Sequence, residues 1–553
     1  MDESLMSAVS RRDLLKLGSM AATAGAVGAG GRLIDPGRAE AQTPKRGGVF
    51  RICAFTDPSG FDPHLTVNWW TMINLSFTHS RLLKHKAGPG VQPGTFPVEG
   101  DLAESWTQPN DTAYVFKLRR GVRWHNKPPV NGRELSAEDI KYTYERFLTI
   151  KGNPNRTTLE QIDRIDVLDR YTVQFTLKEP FCWFLDALAA TTTWIVPKEA
   201  VDQYGDLKRP EACMGTGPWM LERYEPNVRS TFVRNPGYFV PALPYADGVE
   251  LAVDPDPSSS LASWLAGRYD FAPSYGMVVR RVDLDSAKRR KPRLQTSEFT
   301  WMITGVTAMK LDQEPFRDIR VRRAMAMASN WKETLEVLGL FDGHGGPSPS
   351  VPAALREWAI PIDQLPPEGR RLYDHNIPQA KRLLAEAGYP SGFKTPIETT
   401  TGFGSDFMDA VQVSLKNWKA AGVEADLKLK EMGAFISSTI FGKFEKMMTT
   451  IRGGALFPDT YLAAFHLPGQ PLNSAGVNDP KLNEMIRLQR RTFDLGKRRE
   501  ILYDIQRYLA EQVYYMYGPS GKVVSAWEPY VKDFSPNLGN DYGGRLMAAW
   551  LEK

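Results

Sequence analysis

Apolar and polar positions divide the chain by rhythm. From residue 47 to about 300 they alternate in short runs: Tyr114, Phe116 and Leu118 in "TAYVFKLRR", then Val173, Phe175 and Leu177 in "YTVQFTL". Side chains of period two share one face of a strand, so these runs predict half-buried strands. The turn "LDRY" joins "IDRIDV" to the second run and predicts a hairpin. One helix is clear in this half. In "SAEDIKYTYERF", Ser136 caps, Asp139 stands at the third position, and Ile140, Tyr144 and Phe147 form the apolar stripe.

From about 301 to 515 the rhythm changes to alternating helices and strands. "NIPQAKRLLAEAGY" carries a proline in its first turn and Gly388 past its end, which punctuate a helix. A strand is predicted in "TPIETTT". Next, "DFMDAVQVSLKNWKAAGV" places Met408, Val411, Leu415 and Trp418 on one face and stops at Gly422. "VEADLKLK" then alternates again. Strand, helix, strand in this order predicts parallel pairing through a crossover.

"KMMTTI" predicts a further strand of the same sheet, with "RGGALFPD" leaving its carboxyl end. Ligands of open α/β sheets bind outside such ends. Gly453 and Gly454 would let the backbone approach a bound molecule closely, and Arg452 offers a fork of donors for a carboxylate or phosphate. On spacing alone, a plain turn beside a solvated Arg452 explains the stretch at least as well.

Composition narrows the class. The 553 residues are 42% apolar and 24% charged, as in globular proteins, and the net charge is +5 without a basic block. Nucleic acid is therefore not expected as a partner. At the N-terminus, Arg11 and Arg12 precede the uncharged stretch Leu17 to Gly31 and "AEA" at Ala39 to Ala41. This reads as a twin-arginine signal peptide over residues 1–41, cleaved after Ala41, and predicts a periplasmic product. Cys53, Cys182 and Cys213 allow at most one disulfide, with Cys53 expected as a small core residue.

The segment "DLAESWTQPNDTAYVFKLRRGVRWHNKPPVNGRELSAEDIKYTYERF", residues 101–147, resembles the signature region of the periplasmic peptide- and nickel-binding receptors of ATP-binding-cassette (ABC) importers, solute-binding family 5. The resemblance rests on Leu102, Ala103, Ser105, Trp106, Leu118, Arg119, Gly121, Val122, Trp124, His125, Ala137 and Asp139. "MGTGPWMLERY", "PFRDIRVRRAMAMASN" and "AKRLLAEAGYPSGF" follow in the family's order. It implies an α/β, two-lobed periplasmic-binding-protein type II fold with an extra subdomain in the first lobe. Lobe I would span 42–300 and be completed by 516–553, with lobe II over 301–515. The implied protein is a receptor, not an enzyme. It would close on a small polar solute, a peptide or peptide-like compound, and hand it to ABC permease subunits in the inner membrane. It would act as a monomer, without cofactor or catalytic residues.

His125 and Trp124 are expected to pack or bond locally. Ligand contacts are expected elsewhere. In peptide-binding members an aspartate in the loop equivalent to 451–459 holds the ligand amine; anchored on Pro458-Asp459, the matching position here is Gly454. That departure, with Arg452 beside it, favours a ligand bearing a negative group or acceptors. The candidate contacts are Arg452, Gly453, Gly454, Phe457 and Asp459 in this loop. By position, Trp69, Trp70, Tyr275, Trp301 and Tyr517 join them, and Asp57 and Phe61 come from "FTDPSGFDPH".

Two other classes compete. An exported hydrolase lacks support, since neither Gly-x-Ser-x-Gly nor His-Glu-x-x-His occurs. A direct metal site is not expected from seven scattered histidines, although a chelate held through its carboxylates by Arg452 remains open. A receptor that signals to a chemotaxis protein would close in the same way.

Overall fold

The short alternating runs of the first half form two antiparallel-rich sheets. A computed structural model of the protein describes residues 43–553 except 89, 93, 341–344, 348–349, 537–538 and 540. The signal peptide expected over 1–41 lies outside the described residues. Among those described, no helix is long and apolar enough to cross a membrane.

The first sheet orders Val49–Ala54, Gly248–Val253, Arg229–Arg234 and Trp219–Glu225, with only the first pair parallel. The second orders Ala103–Asn110, Ala113–Leu118, Thr172–Leu177 and Ile162–Asp169, all antiparallel. It contains the expected hairpin, and helix Ala137–Thr149 covers it. Ser136 and Asp139 form a reciprocal capping box there, which satisfies donors that a helix start leaves open. Ile140, Tyr144 and Phe147 are fully buried with Phe116 and Phe175.

The 301–515 half builds a five-stranded sheet ordered Val423–Leu429, Phe393–Thr399, Met447–Arg452, Thr304–Met309 and Tyr515–Tyr517. Its first three strands are parallel, and Thr304–Met309 runs against both neighbours. Helix Ser405–Ala421 connects two of the parallel strands and ends on Gly422 in the left-handed region, φ 108°. A residue with a Cβ would be strained there. The carboxyl ends of Phe393–Thr399 and Met447–Arg452 therefore lie on one edge.

Two segments leave this sheet side by side. Residues 301–303 link Thr304–Met309 back to strand Gln295–Thr300, and 518–521 link Tyr515–Tyr517 forward to Lys522–Trp527. The last strand sits between Val278–Val279 and Gln295–Thr300 in a three-stranded sheet. The chain after Tyr517 thus returns to pair with segments before 300, slightly later than the expected start at 516, because Tyr515–Tyr517 still pairs with Thr304–Met309. The crossings are bonded to one another: Trp301 N donates to Gly521 O at 2.8 Å, Gly518 N to Gly305 O at 2.6 Å, and Ser520 Oγ to Trp301 O at 2.9 Å.

Scaffold positions quoted for the family resemblance have local work to do. A Cβ on Gly215 would fall 2.1 Å from Thr78 O, and one on Gly217 2.5 Å from Thr78 C, so "GTG" is a close crossing of two backbones. His125 clamps it: Gly215 N donates to Nδ1 at 3.2 Å, and Nε2 donates to Gly217 O at 3.2 Å. Trp124 and His125 are both buried, as their scaffold reading requires. Cys53 packs in the core, and Cys53, Cys182 and Cys213 are all free thiols.

The antiparallel subdomain also meets the other half of the chain. Trp183 Nε1 donates to Gln489 Oε1 at 2.8 Å, Cys182 N to Arg490 O at 2.8 Å, and Arg490 Nη1 lies 3.5 Å from Glu160. Trp183 stacks near Phe457 at 6.0 Å and lies under the Arg498 guanidinium at 4.2 Å.

Candidate functional site

A large cavity, about 1370 Å³, lies where these parts face one another. One wall comes from the start of helix Trp69–Thr78, from 254–261 and from 273–281. The facing wall comes from 401–407, 448–457 and helix Pro458–His466, and the crossings at 301–305 and 517–519 close the back. Both loops that leave the aligned carboxyl edge of the five-stranded sheet therefore reach the cavity, as expected for an open α/β sheet.

Aromatic residues supply much of the first wall. Asn68 caps the helix by accepting from Thr71 N, which sets Trp69 in its first turn. Trp69 stacks on Tyr275 with ring centres 4.5 Å apart and planes 28° apart, and Trp301 stands edge-on to Tyr275 at 6.1 Å. Gly276 makes this possible: it has φ 75°, and a Cβ there would lie 3.1 Å from the Trp301 ring. Such rigid faces bury area while losing little conformational entropy. Trp70 lies beneath, 2% exposed, edge-on to Phe55 at 5.1 Å.

The opposite wall turns on Arg452, the last residue of its strand. It pairs in register with Thr304 and is 8% exposed. Its guanidinium carbon lies 3.7 Å from the Phe465 ring centre and 4.3 Å from that of Tyr515. Nη2 donates to Ser474 Oγ at 3.3 Å, while Nη1 is enclosed without a partner. Beside it, burial holds His466 down to about 3, so the ring is neutral at physiological pH. His466 Nδ1 donates to Leu462 O at 2.9 Å, which leaves Nε2 to accept from Tyr517 Oη at 3.3 Å. Gly453 packs on the crossing, since a Cβ would sit 2.7 Å from Ile303 Cγ1. Gly454 has φ 90° and faces open space, with Trp69 Nε1 the nearest atom to a Cβ there at 3.9 Å. Phe457 lines the cavity at the N-cap of the helix that follows.

Nine of the residues expected from sequence thus border one cavity: Trp69, Trp70, Tyr275, Trp301, Arg452, Gly453, Gly454, Phe457 and Tyr517. Three do not. Asp57 holds a turn, accepting from Tyr224 Oη at 3.1 Å and from Asn227 N at 2.5 Å. Phe61 is core, edge-on to Tyr224 at 5.3 Å. Asp459 points away, into a buried ion pair with Arg490 Nε, 3.0 Å from each carboxylate oxygen, and accepts from Gln489 Nε2 at 2.5 Å. A carboxylate in a first helical turn is favoured by the helix dipole, and this one is engaged by its cation and amide and does not line the cavity.

Sequence reasoning missed the 401–407 loop and its partner across the mouth. Arg280 Nη1 lies 3.7 Å from Asp406 Oδ1 while its Nε donates to Asp283 Oδ2 at 2.6 Å. Burial pushes the Asp406 carboxyl up, against the pull of Arg280. "TGFGSD" follows strand Phe393–Thr399 as "RGGALFPD" follows Met447–Arg452, so the strand-end rule applied to both.

Known proteins match this arrangement. The di/tripeptide-binding protein 2 of Pseudomonas aeruginosa is 28% identical over 499 residues, covering 84% of this chain and 87% of the relative. A periplasmic binding protein, DppA, from Helicobacter pylori in complex with the peptide STSA superposes with TM-score 0.78 at 21% identity, covering 92% of this chain and 99% of that one. The same score and identity hold for AgaA of A. tumefaciens R10 in complex with agropinic acid. These likenesses establish the two-lobed fold. The profile for bacterial extracellular solute-binding proteins, family 5 Middle, matches residues 97–471, and the chain belongs to that family.

Proposed function

We propose that the protein is the periplasmic receptor of an ABC importer and captures a peptide or peptide-like solute between its lobes. The carrying observation is the cavity itself. Both halves of the chain wall it, two bonded crossings run between those halves beside it, and its about 1370 Å³ exceeds the usual small-molecule site of about 300–1,000 Å³. A site of that size admits a short peptide, or a smaller solute with ordered water. The P. aeruginosa relative is named for di- and tripeptides, which supports the same class.

In this reading residues 42–300 and 518–553 form one lobe and 301–517 the other, the strand Tyr515–Tyr517 staying with the second, and residues 1–41 direct export through the twin-arginine route. Closure buries the solute, so each hydrogen bond to it acts in a low dielectric. Trp69, Tyr275, Trp301 and Phe457 grip by area, while Arg452, Gly453, Gly454 and Tyr517 set orientation. A monomer would then dock on inner-membrane permease subunits and open.

Native mass spectrometry of protein gently purified from periplasm tests this. A bound peptide or peptide-like compound is expected. Returning it in pure form at a hundred times its Kd should add about 2.7 kcal/mol of stability. Recovery of a metal chelate instead, or no stabilisation by any peptide, would overturn the reading.

A further inference from the structure

The charges around the cavity balance in number, four carboxylates against four Arg and Lys side chains, but not in place. Its carboxylates are engaged: Asp541 with Arg81, Asp283 with Arg280, Asp406 with Arg280, and Asp254 accepting from Tyr269 Oη at 3.2 Å. Two of its cations, Arg452 and Lys522, meet no carboxylate within ion-pair distance among the described residues. Arg452 is the telling one. A charge more than nine-tenths buried is ordinarily paired or fully hydrogen-bonded, because desolvation of an isolated ion is costly. Here two aromatic faces and one hydroxyl hold the guanidinium, and Nη1 has nothing.

The surroundings add donors and no acceptor charge. Trp69 Nε1 makes no hydrogen bond among the described residues and borders the space that a side chain at 454 would fill. The backbone N–H groups of Gly454 and Ala455 likewise meet no acceptor among the described residues, and the next helix, Pro458–His466, begins without a side-chain cap. Successive free N–H groups beside a helix start favour an anion, and a cation behind them deepens that preference. His466, held neutral by burial, adds no second cation, so the positive charge here is that of Arg452.

We infer that the 452–455 corner with Trp69 is a carboxylate subsite, so that the solute is a carboxylate-bearing compound and its free amino group is not read there. This rests on the solute-receptor reading above and names the ligand class. A peptide would enter with its C-terminal carboxylate, or an acidic side chain, on this corner. An N-blocked peptide or an N-substituted amino acid would serve equally.

One alanine tripeptide in four forms decides it: free termini, N-acetylated, C-amidated and doubly blocked. Calorimetry is run on the whole mature protein and on Arg452→Met, with the Trp69 indole N–H resonance, assigned with Trp69→Phe, as a local reporter. N-acetyl-alanine and its amide at millimolar concentration provide a probe that does not depend on peptide length. The expected results are an unchanged affinity on acetylation and a loss of about tenfold or more on amidation, as for a hydrogen bond to a charged group. That difference should vanish in Arg452→Met, and the indole resonance should move with acids and not with amides. Binding that falls on acetylation but not on amidation overturns the subsite while leaving the receptor reading intact. An indole resonance unmoved by every acid overturns the subsite as well. If acetylated acids bind and free peptides do not, the subsite stands and the peptide class narrows to blocked compounds. Arg452→Lys, which keeps charge without the fork, separates a folding defect from loss of the site: partial recovery is expected, and none overturns the role of charge.

Discussion

Changing Asp459 to asparagine is expected to weaken the fold and leave ligand affinity within about twofold. The carboxylate is 3% exposed, lies 3.0 Å from Arg490 Nε through both oxygens, and accepts from Gln489 at 2.5 Å. Asparagine keeps the shape and one acceptor but removes the charge facing a guanidinium that is itself buried. Breaking one side of a buried pair is worth about 3–5 kcal/mol. Glu160, 3.5 Å from Arg490 Nη1, retains part of the compensation, so the lower end, about 3 kcal/mol, applies. With about 2.1 cal/mol/K per residue, roughly 500 ordered residues give about 1 kcal/mol per degree, so Tm should fall by about 3 °C. Differential scanning calorimetry reads this directly. The double variant Asp459→Leu with Arg490→Met, which removes both charges, should recover most of the loss. A tenfold drop in affinity with Tm unchanged would refute the reasoning, because it would mean that Asp459 reaches the solute.

Two further outcomes follow from the geometry. Burial holds His64, His79, His125 and His466 down to about 3, against about 6.5 when unfolded. Between those values the unfolded chain binds more protons, so their stabilisation is complete above pH 6.5 and is lost as pH falls, by up to about 2 kcal/mol per histidine at pH 5. Urea midpoints at pH 7.5 and 5 should show this, His466→Gln should flatten the slope, and an unchanged midpoint in the parent protein would rule it out. At the cavity mouth, Arg280→Gln removes the 3.7 Å contact with Asp406. As the pair is half-exposed, worth about 0.2–1 kcal/mol, solute release by stopped-flow fluorescence should quicken by about 1.4- to fivefold. Release rates in Arg280→Gln and Asp406→Asn that both equal the parent's would exclude a role in closure.

Local rhythm carried much of the fold. Helix Ser405–Ala421 and its flanking strands are legible because the apolar stripe, Gly422 and the alternation in "VEADLKLK" all report short-range geometry. Strand ends pointed to 452–454 for the same reason. What the sequence withheld is where a side chain turns once helices pack. Asp459 sits five residues from Gly454, yet the first helical turn directs it to Arg490, which is distant in sequence. The buried neighbours of Arg452, namely Phe465, Ser474 and Tyr515, come from three separate segments. Asp57 and Phe61 followed a strand toward the cavity side, but Tyr224 on another hairpin captured both. Each is a pairing of residues far apart along the chain, which periodicity cannot see.

The bonded pair of crossings carries a mechanical consequence. Two independent tethers would let one half of the molecule tilt, twist or slide against the other. Linked by amide bonds at Trp301–Gly521 and Gly518–Gly305, they behave as a single ribbon. Such a ribbon bends readily across its flat face and resists shear within its plane. Trp301 rides on that ribbon, so any bending carries its ring relative to Tyr275 and turns a backbone motion into a change at the gripping surface.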